Sequence, residues 1–302
     1  MKGLNMVMRR VGQVVVPMLC ALMACTQANA GEVLERIRRE GAITVAYRDS
    51  ASPFSSVPAG ATAPVGYAID LCSRIIDGLA QELKRPIAVR HVRVSVTDRI
   101  QTIASGAAQL ECGSTTNTAE RRQQVAFTVP HYVTGTRLLV KTGGPVRDLR
   151  GLGGKTVVAT TGTTALPLIR KLVDERMLGA RVIEAPTYDA AIAMLSAGQA
   201  DAFVLDEVML YMLRARQPKP EQFEAVDKFL SIEPLAIMLP PGDSEFKAAV
   251  DGQMKKLIRS NTAHELYARW FTSPLPDGVN LQQPMNYLLR AVFAHPSDYV
   301  PE

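Results

Sequence analysis

The chain has 302 residues, 47% of them apolar, with 34 Lys and Arg against 29 Asp and Glu and four each of Cys and His. That length supports two domains with separate cores, and the near balance of charge, with no basic run interleaved with aromatics, excludes a nucleic-acid binder. His91, His131, His264 and His295 stand far apart, without metal-ligand spacing, so neither a metal nor a cofactor is expected.

Residues 1–30 read as an export leader. Lys2, Arg9 and Arg10 form its positive start, residues 11–24 its apolar segment, and Ala28-Asn29-Ala30 a small-residue cleavage site. Cleavage after Ala30 predicts a periplasmic protein. Leu22-Met23-Ala24-Cys25 also resembles a lipoprotein box, so a lipid anchor at Cys25 is the alternative. No later run approaches the roughly 20 apolar residues that span a bilayer. Only Cys72 and Cys112 follow the leader, and export permits a disulfide without their spacing establishing one.

Residues 31–40 have the period of a short amphipathic helix, and 43–47 alternate as a strand that ends at Arg48. A loop rich in Pro, Ser, Gly and Ala follows, and loops at strand ends of α/β sheets are where ligands are held. Asp70 is expected to cap a helix whose apolar face carries Leu71, Ile75, Ile76, Leu79 and Leu83. Residues 87–94 read as the next strand, and Thr97 as the cap of a helix over 98–105 with Arg99 in its first turn. The segment Glu111-Cys112-Gly113-Ser114-Thr115-Thr116 then follows an apolar run, with a helix expected over 119–124, capped by Thr118 and carrying Arg121. Hydroxyls, free N–H groups and a helix start at one corner suit a carboxylate.

A strand over 135–141 leads into Thr142-Gly143-Gly144-Pro145, a hinge-like change of composition. Gly151 to Thr156 imitates a phosphate loop, but Leu149 replaces the required first glycine and a strand follows where a helix should, so the motif is rejected. A second glycine–hydroxyl corner, Gly162-Thr163-Thr164, precedes a helix over 165–176 with Pro167 in its first turn. A helix from Tyr188 and a strand ending at Asp206 follow. Ile100-x-x-Ile103-Ala-Ser-Gly106-x-x-Gln109 is echoed by Ile192-x-x-Leu195-Ser-Ala-Gly198-x-x-Asp201, each before an apolar strand. Two similar α/β lobes explain the echo. Residues 235–239 read as the return crossing, with a long helix or helix pair over 246–271.

Several of these segments coincide with one family. Tyr47-Arg48-Asp49-Ser50, Gly66-Tyr67, Glu111 to Arg121, Gly135-Thr136-Arg137-Leu138-Leu139, Gly162-Thr163-Thr164 and Trp270-Phe271 resemble the periplasmic solute-binding proteins of polar amino-acid ABC transporters, family 3, above all those for glutamate and aspartate. The resemblance implies a bilobal α/β fold of the type II periplasmic-binding-protein kind, its lobes joined by two crossing strands. Residues 31–141 would start the first lobe, 142–234 form the second, and 235–302 return to the first. It implies a monomer that closes over a free acidic amino acid and presents it to a membrane permease. Arg121 would pair with the α-carboxylate, helped by Ser114, Thr116 and Thr164, with Thr163 beside them. Asp206 would take the ammonium, and Arg48 and Arg99 the side-chain carboxylate. Val96 stands where the pattern has a serine, and Tyr188 where it has a histidine. Ile237 replaces the second-lobe partner of Cys112, leaving that cysteine free or paired with Cys72. Two other functions are alternatives: an enzyme like the cyclohexadienyl dehydratases that share this fold family, with Glu111 as the acid in the hydroxyl corner, and a sensory subunit acting through a partner.

Overall fold

A computed structural model of the chain describes residues 31–226 and 228–298, so the leader and the Cys25 box lie outside the described residues. Helix α1 (Glu32–Glu40) ends at Gly41 and leads into β1 (Ala42–Tyr47); β2 (Ser50–Ala51) and β3 (Ser55–Ser56) make a small hairpin beyond it. Helix α2 (Tyr67–Leu83) begins at Gly66, because Tyr67 and Ala68 are themselves buried; Asp70 is therefore not its cap. The Asp70 carboxylate instead accepts from Trp270 Nε1 at 2.8 Å. After β4 (Ala88–Arg93) comes α3 (Arg99–Ala104), whose N-cap is Asp98 rather than Thr97. Strand β5 (Leu110–Glu111) opens the hydroxyl corner, and β6 (Ala126–Phe127) follows so soon that only a single 3₁₀ turn, Arg121–Gln123, fits where a helix was expected. The Thr118 hydroxyl still accepts the Arg121 N–H at 3.2 Å.

Strand β7 (Tyr132–Lys141) is longer than its pattern suggested and carries the chain from the first lobe into the second sheet, to which it belongs. That second sheet is filled by β8 (Thr156–Thr160), α4 (Ala165–Glu175), β9 (Arg181–Ala185), α5 (Tyr188–Ser196), β10 (Ala202–Asp206), α6 (Glu207–Ala215) and β11 (Phe223–Val226). The chain returns through β12 (Ile232–Leu235), antiparallel to β7 with Glu233 opposite Thr134, and then β13 (Met238–Leu239) in the first sheet. The crossing itself is thus β12, three residues earlier than expected. Helices α7 (Ser244–Arg259), α8 (Thr262–Tyr267) and α9 (Tyr287–Ala294) complete the first lobe, with a π-helical turn at Ala268–Thr272.

The two sheets share one topology. The first runs β4-β1-β5-β13-β6 and the second β9-β8-β10-β7-β11; in each, a parallel triplet is extended on one side by an antiparallel strand, β13 or β7, and then by a strand antiparallel to that one, β6 or β11. The sequence echo maps onto equivalent corners. Gly106 and Gly198 both stop a helix at φ +74°, a left-handed conformation that a side chain would strain. Next, Gln109 Oε1 and Asp201 Oδ2 accept the N–H of Thr44 and of Thr156 at 2.9 and 2.8 Å. Their own N–H groups donate back to the same two residues. A polar side chain thereby locks each middle strand to its neighbour.

Apolar burial holds each lobe. Leu71, Ile75 and Leu79 of α2 face Phe246, Val250 and Met254 of α7 inside one cluster, whereas Leu138, Val157 and Val204 pack beneath α4 in another. Each such fully buried side chain contributes on the order of 1.5–3 kcal/mol relative to exposure. Phe54, Tyr67, His131, Tyr132, Tyr267 and Phe271 form an aromatic knot where β7 leaves the first lobe. A disulfide joins Cys72 of α2 to Cys112 at the corner, with Cα atoms 6.4 Å apart.

Candidate ligand-binding site between the lobes

Six parallel strands, three from each sheet, aim their C-terminal ends at the seam between the lobes. Ligands of open α/β sheets are held at such ends. In the first lobe, β1 delivers Arg48, the segment after β4 delivers Arg99, and β5 delivers Ser114, Thr116 and Arg121. From the second come Gly162, Thr163 and Thr164 after β8, Tyr188 after β9 and Asp206 at the end of β10.

These side chains meet. Arg99 Nη2 and Arg121 Nη2 both donate to the carbonyl of Gly162, at 3.4 and 3.3 Å, across the seam. Gly162 has φ +79°, and a Cβ there would lie 3.1 Å from the Val96 carbonyl, so the glycine lets the lobes approach. Val96 is thus a contact of the closed seam. Arg121 Nη1 donates to the Thr116 carbonyl at 2.9 Å, and Arg48 Nη1 to Ser114 Oγ at 3.2 Å. The Arg48 guanidinium lies 4.9 Å from the centre of the Tyr188 ring, a cation–π contact that also spans the lobes. The Thr163 hydroxyl turns back to the Thr160 carbonyl at 2.6 Å, and that of Thr164 donates to Glu233 Oε2 at 3.0 Å. A cleft of about 280 Å³, lined by Arg48, Ser95, Val96, Thr187 and Tyr188, opens beside this cluster.

Charge is concentrated here and almost fully removed from water. Arg48 is 1% and Arg99 2% exposed. Desolvation, then the neighbouring charges of Arg48 and Arg121, hold Arg99 down at about 9, while Glu111 and Tyr188 oppose the shift. Burial likewise lowers Arg121, against the pull of Glu233, Asp206, Glu111 and Tyr188. Asp206 is pushed up to about 8 by burial and by the charge of Glu233, although all three arginines favour its ionised form. Arg48 Nη2, Arg99 Nε and Arg99 Nη1 are buried donors without a partner among the described residues. Unpaired buried donors are unfavourable, and carboxylate oxygens are the groups that would satisfy guanidinium forks.

Two acids in this cluster were not among the expected ligand contacts, Glu111 having been weighed only as the acid of the dehydratase alternative. Glu111, equally placed by strand alternation to face away, is fully buried, with neither oxygen within hydrogen-bonding geometry of a described residue. Its carboxyl is raised by burial and drawn back by Arg99, Arg48, Thr115 and Arg121. Glu233, 4% exposed on β12, is felt by both Asp206 and Arg121. An acid inside the apolar run Ile232-Glu233-Pro234-Leu235 was the available signal.

Comparison with known proteins identifies the family. The model of the bacterial extracellular solute-binding proteins, family 3, matches residues 43–273. The chain belongs to this family. The L-glutamate/L-aspartate-binding protein of Pseudomonas aeruginosa is 35% identical over 271 residues, covering 89% of this chain and 90% of its own. The glutamate/aspartate import solute-binding protein of Salmonella typhimurium is 35% identical at 89% coverage of both chains, and that of Escherichia coli 34%. Among solved structures, an ancestral arginine-binding protein bound to arginine superposes with a TM-score of 0.69 at 24% identity, covering 76% of this chain and 98% of the other. An ancestral amino acid-binding protein, a precursor of cyclohexadienyl dehydratase, superposes with 0.68 at 22% identity, over 80% and 99%. At those identities the likeness establishes the bilobal fold alone.

Proposed function

We propose that this protein binds glutamate or aspartate between its lobes in the periplasm and delivers it to an ABC importer in the membrane. One observation carries the reading: three buried arginines, two of them with unpaired donors, converge with Asp206 at the seam. An acidic amino acid brings two carboxylates and one ammonium, the complement of that set. The glutamate/aspartate names of the bacterial relatives support the same ligand class.

In this reading Arg121, with Ser114 and Thr116, holds the α-carboxylate, and Arg48 and Arg99 hold the side-chain carboxylate. Asp206 takes the ammonium. Tyr188 stacks on Arg48 and fixes its plane, and Thr163 holds the corner after β8 through its bond to Thr160. The lobes pivot on β7 and β12, and a ligand that bridges them shifts the population toward closure, the form a permease would recognise. Closure removes water, so each charge-assisted bond gains strength as its partners lose hydration.

Calorimetry with the 20 amino acids tests the proposal. Glutamate or aspartate should bind far more tightly than any neutral amino acid. Arg121→Ala should weaken that binding on the order of 100-fold or more, because it strands a desolvated carboxylate. Arg48→Ala and Arg99→Ala should chiefly reduce the preference for acidic over neutral ligands. Unchanged affinity in Arg121→Ala refutes the assignment. The buried Glu111, raised toward its protonated form, is the observation behind a dehydratase reading; turnover of prephenate or arogenate by the purified protein would favour that alternative.

A further inference from the structure

Glu233 lies where three parts of the molecule meet. It sits on the crossing strand β12, and three hydroxyls lie within hydrogen-bond distance of its carboxylate. Ser231 Oγ lies 2.5 Å from Oε1 and Thr136 Oγ1, on the other crossing strand, 3.4 Å from it. On the far side Oε2 accepts from Thr164 Oγ1 at 3.0 Å, at the corner after β8. Ser231 Oγ also lies 2.8 Å from Thr136 Oγ1, so two hydroxyl protons serve the three contacts around Oε1. Both hinge strands and the second lobe's binding corner are therefore tied to one buried acid.

The Thr164 bond has a chemical consequence. A hydroxyl has one proton, and a carboxylate oxygen can only accept it. With that proton committed to Glu233, Thr164 Oγ1 offers its remaining neighbours lone pairs alone. It is then a poor partner for a carboxylate and a good one for an ammonium. Glu233 also acts electrostatically on Asp206, the other acid at this end of the site.

We propose that Glu233 is the second acid of the ammonium subsite, acting beside Asp206 and through Thr164, whose oxygen it orients as an acceptor. This rests on the reading of the cleft as an amino-acid site and reassigns Thr164 from the carboxylate to the amine. Charge supports it. Three arginines face Glu111, Asp206 and Glu233, and an ammonium is the one ligand group that relieves the repulsion between the last two. Because Glu233 belongs to β12, recognition of the amine acts on the strand about which the lobes pivot. A ligand without the amine would leave that repulsion in place and close the lobes less completely.

The test compares two ligands on one scaffold: the acidic amino acid that the wild type binds best, and its analogue with a hydroxyl in place of the α-amine. Kd values come from calorimetry or competition on the full mature chain, with melting temperatures of the unliganded proteins. Glu233→Gln keeps the shape and removes the charge. Affinity for the amino acid is expected to fall about tenfold or more, the scale of a charge-assisted bond. The hydroxy analogue should lose less than about threefold, or gain, so the amine preference shrinks; Thr164→Val should shrink it in the same direction. Equal losses for both ligands would mark Glu233 as a hinge buttress only and overturn the proposal. If the analogue does not bind the wild type, the amino acid alone decides, and a loss under about threefold overturns it. A wild type that binds no amino acid instead defeats the underlying reading, an outcome seen before any variant is made.

Discussion

Asp206 illustrates how a single carboxyl links folding to binding. An ordinary aspartate loses its proton near 3.8, but burial and the charge of Glu233 push this one up to about 8. Between those values the folded protein holds a proton that the unfolded chain has released. The contribution of this group to the stability of the unliganded protein therefore falls as pH rises from about 4 to about 8. Asp206→Asn removes that dependence. Thermal unfolding of the unliganded variant should show a flatter pH profile and a higher midpoint than wild type near pH 8, together with a large loss of affinity for the acidic amino acid. Parallel profiles for the two proteins would contradict the assignment. The arginines around it were legible in the sequence because each stands just beyond a strand or at a helix start. The inward turn of Glu111 and Glu233 was not, since the side a strand residue faces depends on which sheet face is packed.

At the scale of elements, the corner after β5 departs most from its pattern. Residues 119–124 have helix-forming composition, yet the entry into β6 leaves room for one 3₁₀ turn. The anion-binding case thus rests on buried guanidinium groups and hydroxyls, not on a helix dipole. This corner is held to α2 by the Cys72–Cys112 disulfide. The 40-residue separation it closes corresponds to about 4 kcal/mol in the chain-entropy account. Replacing both cysteines by alanine should therefore lower the denaturation free energy by about 2–4 kcal/mol, read as a lower denaturant midpoint with a steeper slope, since the denatured chain without the bridge exposes more surface. An unchanged midpoint would mean that the bridge adds nothing in solution. Spacing alone left this pairing open; only the approach of α2 to the end of β5 brings the two sulfurs together. The repeat was more legible, because helix, glycine stop, polar residue and strand are all local signals.

For the whole molecule, the contacts across the seam set how readily the lobes close. Besides the site itself, Arg216, just after α6 in the second lobe, donates to Asp277 Oδ2 at 2.7 Å and to Ser52 Oγ at 3.1 Å, both on the first lobe. This pair is 43% exposed on each side. Exposed pairs contribute about 0.2–1 kcal/mol, so Arg216→Ala should weaken apparent ligand affinity by no more than about fivefold, through the closed population. High salt should reduce the wild type toward the variant, and calorimetry at two ionic strengths checks both statements. A loss as large as that of Arg121→Ala would mean that Arg216 contacts ligand or shapes the site.

By itself, the sequence determined most of the elements and their order, the duplicated α/β pattern and the arginines and aspartate at strand ends. Those follow from interactions between residues close in the chain: side-chain periodicity, caps and glycine stops. Tertiary structure decided which acids turn inward, that Cys72 meets Cys112, that β12 carries the return crossing, and that the Thr164 proton belongs to Glu233. Each of these depends on groups tens of residues apart meeting where water is excluded, and there burial and charge, not local propensity, set the outcome.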